Sequence, residues 1–221
     1  MAENTNMSTN ELEARLQKAE NIKKRDGVVW KDKFDRSHKI CEARELADDT
    51  PVKLAGRVTA LRWLGKLMFG RIYDIEGEIQ FSMSREEIGE EDYKFMKANV
   101  DMGDFIGITG TLYHTTAGEL TVKVSHYEIL AKALRPLPEK FHGLTDMETR
   151  YRQRYLDIIS NPESRNALLG RFKMTQNLRD FMNRHGFLEI ETPIMQNIAS
   201  GAAAKPFTTH HNALNADFQL R

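Results

Sequence analysis

Two short runs carry side chains suited to holding a planar, hydrogen-bonding ligand. In "KLMFGRIYDIEG" the alternation of an extended chain puts Leu67, Phe69, Arg71 and Tyr73 on one side. In "EIQFSMS" it puts Gln80 and Ser82 opposite the apolar set Ile79, Phe81 and Met83. An outward aromatic ring offers a platform on which a nucleobase can stack, and a neighbouring amide or carboxylate can read the hydrogen-bonding edge of that base. The same pattern also suits a packed interior with Phe69 turned inward, and period-two spacing alone does not decide which side faces out. Other chemistry is less well supplied. "LGKLMFG" lacks the frame of a phosphate-binding loop and precedes a strand rather than a helix. His210 and His211 are adjacent, which on a strand aims them at opposite faces, and no cysteine or acidic cluster stands near them in sequence, so no metal site is expected.

The elements that must position Phe69 and Gln80 are legible as a change of period. Residues 1–50 form an N-terminal extension in which Leu12, Leu16, Ala19 and Ile22 share a helical face, with Lys18, Lys23, Lys24 and Arg25 beside or behind it and Gly27 as a stop. From Val52 to Leu130 the alternation is that of strands: Val52, Leu54, Gly56 and Val58, then the two runs above, then Ile106, Ile108, Gly110 and Leu112, then Leu120, Val122 and Val124. A helical insert, "GEEDYKFMKANV", separates the third strand from the fourth. Five short glycine-rich strands with a helix at that point predict a five-stranded OB-fold barrel over residues 51–131, an architecture that binds oligonucleotides on the face of its second and third strands.

Residues 132–160 read as a linker, extended through "RPLP" and then helical through "TDMETRYRQRYLDII". Asn161 suits an N-cap, Pro162 a first helical position and Glu163 the positive end of a helix dipole. Leu168, Phe172, Leu178, Phe181 and Met182 mark an apolar stripe, with Thr175 in the gap, and Gly186 ends the helix. "FLEIETPIM" then alternates as a strand until Pro193, which confines it to an edge or an interface.

Bulk properties narrow the partners. The 221 residues hold 32 Lys and Arg against 32 Asp and Glu, so the chain is not basic as a whole. The charge is unevenly placed: residues 132–184 carry eleven basic against six acidic residues, and residues 76–104 carry nine acidic against three basic. This distribution permits a positive face toward a polyanion and equally fits solvated surface. A single cysteine, Cys41, excludes an intrachain disulfide and a cysteine-based zinc site and fits a reducing compartment. No apolar run approaches the roughly 20 residues of a membrane helix, and "MAENTNMSTNELEARL" lacks a signal pattern, so a cytoplasmic protein is expected.

A long helix followed by "GFLEIETP" resembles motif 1 of the class II aminoacyl-tRNA synthetases, and "KALRPLPEKFHGLTDMETRYRQRYLDIISN" resembles the interdomain segment of the lysyl-tRNA synthetases. Aspartate and asparagine synthetases also join an OB barrel to a class II domain, but the RPLP and RYRQRYLD segments favour lysine. The resemblance runs in family order from the leading helix to "SGAAAKPFTTHHNAL". It implies an OB-fold barrel followed at residues 161–221 by the start of an antiparallel α+β catalytic domain. It implies ATP-dependent activation of L-lysine, with Mg²⁺, and transfer to tRNA-Lys. It further implies that the barrel grips the U-rich anticodon, with Phe69 stacking, Gln80 reading an edge, Glu119 accepting a hydrogen bond, and Arg62 contacting a phosphate or base. Gly201 would approach the lysine, and Pro193, Phe172 and Phe187 would belong to a homodimer interface.

In the family, the motif 2 and motif 3 groups that orient ATP lie beyond the position of Arg221, so no catalytic residue is expected in this chain. The alternative is a stand-alone tRNA-binding OB-fold module without ligase activity. It gives no reason for a motif 1 helix and strand. Lysine-dependent ATP–pyrophosphate exchange is accordingly expected to be absent from the purified 221-residue chain; measurable exchange would refute that expectation.

Overall fold

The computed structural model describes residues 9–138, 144–198 and 205–220, in two compact units, Met1–Arg150 and Tyr151–Arg221. The first unit opens with helix α1 (Thr9–Asp26) and a single turn, α2 (Ile40–Ala43). Strands β1 (Pro51–Leu64), β2 (Leu67–Tyr73) and β3 (Glu78–Ser84) follow, then helices α3 (Arg85–Ile88) and α4 (Glu90–Asn99), then β4 (Phe105–His114) and β5 (Leu120–Ala131). The five strands close into a barrel in the order β1-β2-β3-β5-β4. All neighbours are antiparallel except β3 and β5, which run parallel. Five strands in this order, with helices between the third and fourth, constitute the expected OB-fold.

Alternation drives the closure. Val52, Leu54 and Val58 from β1, Met68 and Ile72 from β2, and Phe81 from β3 are buried in the interior, so their partners in the alternation face out. Gly70 lets this interior fit: a Cβ there would run into the Phe81 ring. Strand β1 is long enough to pair with both β2 and β4, and it carries one irregularity, between Val58 and Ala60. Val58 opposes Ile72 and Ala60 opposes Arg71, so Thr59 is an extra residue, a bulge that inverts the phase of everything after it. Leu61 and Trp63 therefore pack toward the core while Arg62 is exposed. Helix α4 rests against the same strand. Tyr93 is buried, its ring meets Trp63 edge-on at 5.4 Å, and its hydroxyl donates to the carbonyl of Gly65 at 3.0 Å.

Helix α1 packs on the barrel with a face that departs from the expected one. Leu16 is 44% exposed, and the buried position in its turn is Arg15 at 8%. The reason is a polar acceptor under the helix: the Arg15 guanidinium donates to the carbonyl of Ala133 at 2.9 Å. Ala19 and Ile22 are buried as expected. A second polar tie lies beside it. Lys132 is buried, and its ammonium donates to Asp104 at 2.7 Å, to Asp101 at 2.5 Å and to the carbonyl of Asn99 at 2.9 Å. Asp104 also accepts from the backbone amides of Asp101 and Ala133, and Lys18 of α1 reaches Asp101 at 2.6 Å. Burial pushes the Asp104 carboxyl up; the same effect on Asp101 is outweighed by Lys132 and Lys18, which hold it below the usual carboxylate range.

Helix α5 (Met147–Arg152) ends where Gln153 leaves helical geometry, so the single helix expected from the RYRQRYLD run is two, the other being α6 (Arg154–Ser160). In the second unit α7 (Pro162–Arg184) begins, as expected, with Pro162 in its first turn. Asn161 occupies the N-cap but its side chain makes no capping bond. It donates instead to the buried Asp157 carboxylate at 2.6 Å, which Arg154 and Ser164 also reach. Gly186, at φ +82°, turns the chain out of α7, with the Phe187 amide donating back to the Met182 carbonyl. The strand expected across Phe187–Ile190 is absent. These residues find no neighbouring strand among those described, and pairing starts only past Pro193, at β6 (Met195–Gln196). With β7 (Thr208–His211) and β8 (Ala216–Leu220) it forms a sheet in the order β6-β8-β7. No described helix is long and apolar enough to cross a membrane.

Replacing Lys132 by Met is expected to destabilise the first unit by about 3–5 kcal/mol, because it leaves a buried carboxylate without its cation. In urea unfolding, Lys132→Met/Asp104→Asn should recover part of that loss. A single Lys132→Met variant as stable as the parent would show that the cluster is not anchoring the barrel.

Candidate nucleic-acid interface

The outer face of β2 and β3 is built row by row from the barrel's register. In one row Arg62 of β1 opposes Phe69 of β2, Phe69 opposes Ser82 of β3, and Ser82 opposes Lys123 of β5. In the next, Ala60 opposes Arg71, Arg71 opposes Gln80, and Gln80 opposes Thr121. Met68, Ile72, Ile79, Phe81 and Met83 are all buried on the other side. Phe69 therefore lies outward, half-buried, beside the row of Gln80, at the diagonal distance of about 7–8 Å that neighbouring sheet positions allow.

Gln80 is held by β5. Its Nε2 donates to the Thr121 hydroxyl at 2.9 Å, and that hydroxyl donates to the backbone carbonyl of Glu119 at 3.0 Å. An amide has two N–H groups and a carbonyl, so one donor and the acceptor of Gln80 remain for a ligand. Glu119 stands just before β5, where Gly118 takes φ +78° and the Thr115 hydroxyl accepts from the Glu119 amide at 3.1 Å. Its carboxylate oxygen Oε1 accepts from the Arg71 guanidinium, which also donates to Glu78 at 3.3 Å. Ser82 is buried and takes a hydrogen bond from the Tyr113 hydroxyl at 3.0 Å. At the edge of this face Lys123 pairs with Glu87, whose hydrogen bond and charge hold the ammonium above the usual lysine range.

Phe69, Gln80 and Glu119 are thus brought to one surface, and Arg62 borders it. Arg71, which ties the carboxylate to this surface, was the neighbour of Phe69 in the same alternation, and only the ion pair reveals its part. Of the remaining expected positions, Phe172 (63% exposed) and Phe187 are exposed within their unit, as is Pro193. Gly201 falls outside the described residues. His210 pairs with Asp217 at 2.8 Å and the His211 ring packs on Phe218, and among the described residues no three or more histidine, cysteine or acidic groups are placed so that they could hold a metal ion.

Residues 52–130 match a family model described as OB-fold nucleic acid binding domain, and residues 146–221 one described as tRNA synthetases class II (D, K and N). A lysine–tRNA ligase from Aquifex aeolicus is 48% identical over 197 residues, covering 89% of this chain and 33% of that protein. One from Carboxydothermus hydrogenoformans is 48% identical over 219 residues, covering 96% of this chain and 44% of that protein. One from Lactococcus lactis subsp. lactis is 44% identical over 221 residues, with the same two coverages, 96% and 44%. The chain is a homologue of the lysine–tRNA ligases. It spans between a third and a half of the length of these relatives, and within that span it carries the OB barrel of the family and the beginning of the class II synthetase domain.

Proposed function

We propose that the β2–β3 face of the barrel binds the U-rich anticodon of tRNA-Lys, as the tRNA-reading part of an ATP-dependent lysine–tRNA ligase. The observation that carries this is the outward Phe69 beside an amide and a carboxylate that each keep hydrogen-bonding capacity in hand. Uracil offers one N3–H donor between two carbonyl acceptors. Phe69 supplies the stacking surface, the free N–H of Gln80 meets a carbonyl, Glu119 accepts the N3–H, and exposed Arg62 steadies a phosphate or a neighbouring base.

The second unit is assigned to homodimer formation. Helix α7 buries none of its residues within the unit, and Phe172, Phe187 and Pro193 are exposed apolar positions along it and just past it. Gly201 is assigned to the lysine side of the ligase. ATP and Mg²⁺ are assigned to the ligase as a whole, and no step of adenylate formation is assigned to the residues described.

Two outcomes follow. Phe69→Ala is expected to weaken binding of an RNA stem-loop with a UUU anticodon by about 1–3 kcal/mol, or roughly five- to 150-fold, in a fluorescence-anisotropy titration. Equal binding by parent and variant, or equal binding of UUU and AAA loops by the parent, would sink the anticodon assignment. Phe172→Asp is expected to shift the chain toward monomer in sedimentation velocity; an unchanged distribution would remove α7 from the interface.

A further inference from the structure

Arg71 has no part in the base contacts above, yet it is the most constrained charge on the face. Its guanidinium forks between two carboxylates, one nitrogen on Glu119 and another on Glu78 at 3.3 Å. Glu78 is itself anchored by the hydroxyl of Thr59, the bulge residue of β1. All three charged side chains are about equally exposed, at 38–40%, so the pair sits at the surface a ligand would cover and not beneath it.

A carboxylate that is to receive the N3–H of a base must hold one oxygen in the plane of that base. Glu119 sits at the end of a turn, its backbone amide held by the Thr115 hydroxyl, and its carboxylate accepts a hydrogen bond from Arg71, whose guanidinium fork is well shaped to fix a carboxylate plane. Arg71 lies directly opposite Gln80, so its hold on Oε1 ties the carboxylate to the row of Gln80 and leaves Oε2 as the second acceptor. We infer that Arg71 is a positioning residue for Glu119: it fixes the base-reading carboxylate, and Glu78 fixes Arg71.

This inference rests on the anticodon assignment and deepens it. An ionised carboxylate accepts from the N3–H of uracil but opposes the N3 lone pair of cytosine. The orientation of Glu119 therefore governs the choice of uracil over cytosine, whereas a cation acting directly on phosphate would strengthen both alike.

The test uses the whole 221-residue chain and RNA stem-loops carrying UUU or a single U-to-C change at each anticodon position, titrated by anisotropy. The parent is expected to disfavour cytosine at one position. Arg71→Met should reduce that preference about tenfold, by weakening the UUU loop while leaving the cytosine loop within about twofold. Arg71→Lys, which keeps the charge but cannot span both carboxylates, should fall between them. Glu119→Gln should lose a similar preference, and Arg71→Met/Glu119→Gln should be no worse than Glu119→Gln alone. Equal weakening of both loops that persists in the Glu119→Gln background would make Arg71 a direct RNA contact and overturn the inference, as would an unchanged preference in Arg71→Met. Should Arg71→Met fail to fold, the Arg71→Lys preference decides alone, an unchanged value overturning the inference. A parent indifferent to cytosine at every position refutes the base-reading assignment itself.

Discussion

Three register pairs close the barrel: Gln80 with Thr121, Phe81 with Val122, and Ser82 with Lys123. This short parallel contact joins the start of β5 to β3, residues about 40 apart in sequence, and without it the sheet would end in two open edges. It also delivers the turn before β5 to the outer face. The Thr121 hydroxyl that takes the Gln80 amide donates to the backbone of Glu119, so the hydrogen bond that seals the sheet also holds the residues facing outward from it. Barrel stability and the geometry of the face are consequently one problem.

The barrel is also fixed to what precedes and follows it. Lys132 gathers Asp101, Asp104 and the Asn99 carbonyl at the point where the chain leaves β5, and α1 reaches the same place through Arg15 and Lys18. Charges buried this way are costly unless every partner is in place, which makes the cluster a specifier of one arrangement more than a source of net stability. The helix, the loop after α4 and the exit from β5 share a single set of hydrogen bonds.

Much of this was legible from the amino acids. Alternation gave the strands, glycines and the insert gave the barrel, and the relation of Phe69, Gln80 and Ser82 to the apolar set Ile79, Phe81 and Met83 followed from period two. What could not be read is where a polar group outranks the pattern. Arg15 replaces Leu16 on the buried face of α1 because a carbonyl from residue 133 lies beneath it, a partner far away in sequence. The side chain of Asn161 turns to Asp157 instead of capping its own helix. The alternation of "FLEIETP" produced no strand because a strand needs a neighbour as well as a pattern. The direction of Arg62 needed the bulge: counting even positions from Val52 would have turned it inward.

That bulge makes β1 two strands in series with opposite phase. Residues before Thr59 present even positions to the core, and residues after it present odd ones. Thr59 itself is the one place where the strand could lose a residue without reversing either half: with it gone, Val58 would be followed directly by Ala60, and Leu61 and Trp63 would still face in and Arg62 out. A single deletion or insertion at a paired position of β1 would instead turn one half against the other, carrying Trp63 away from Tyr93 and the charge of Arg62 inward. What the surplus residue contributes is chemical, a hydroxyl that donates to Glu78.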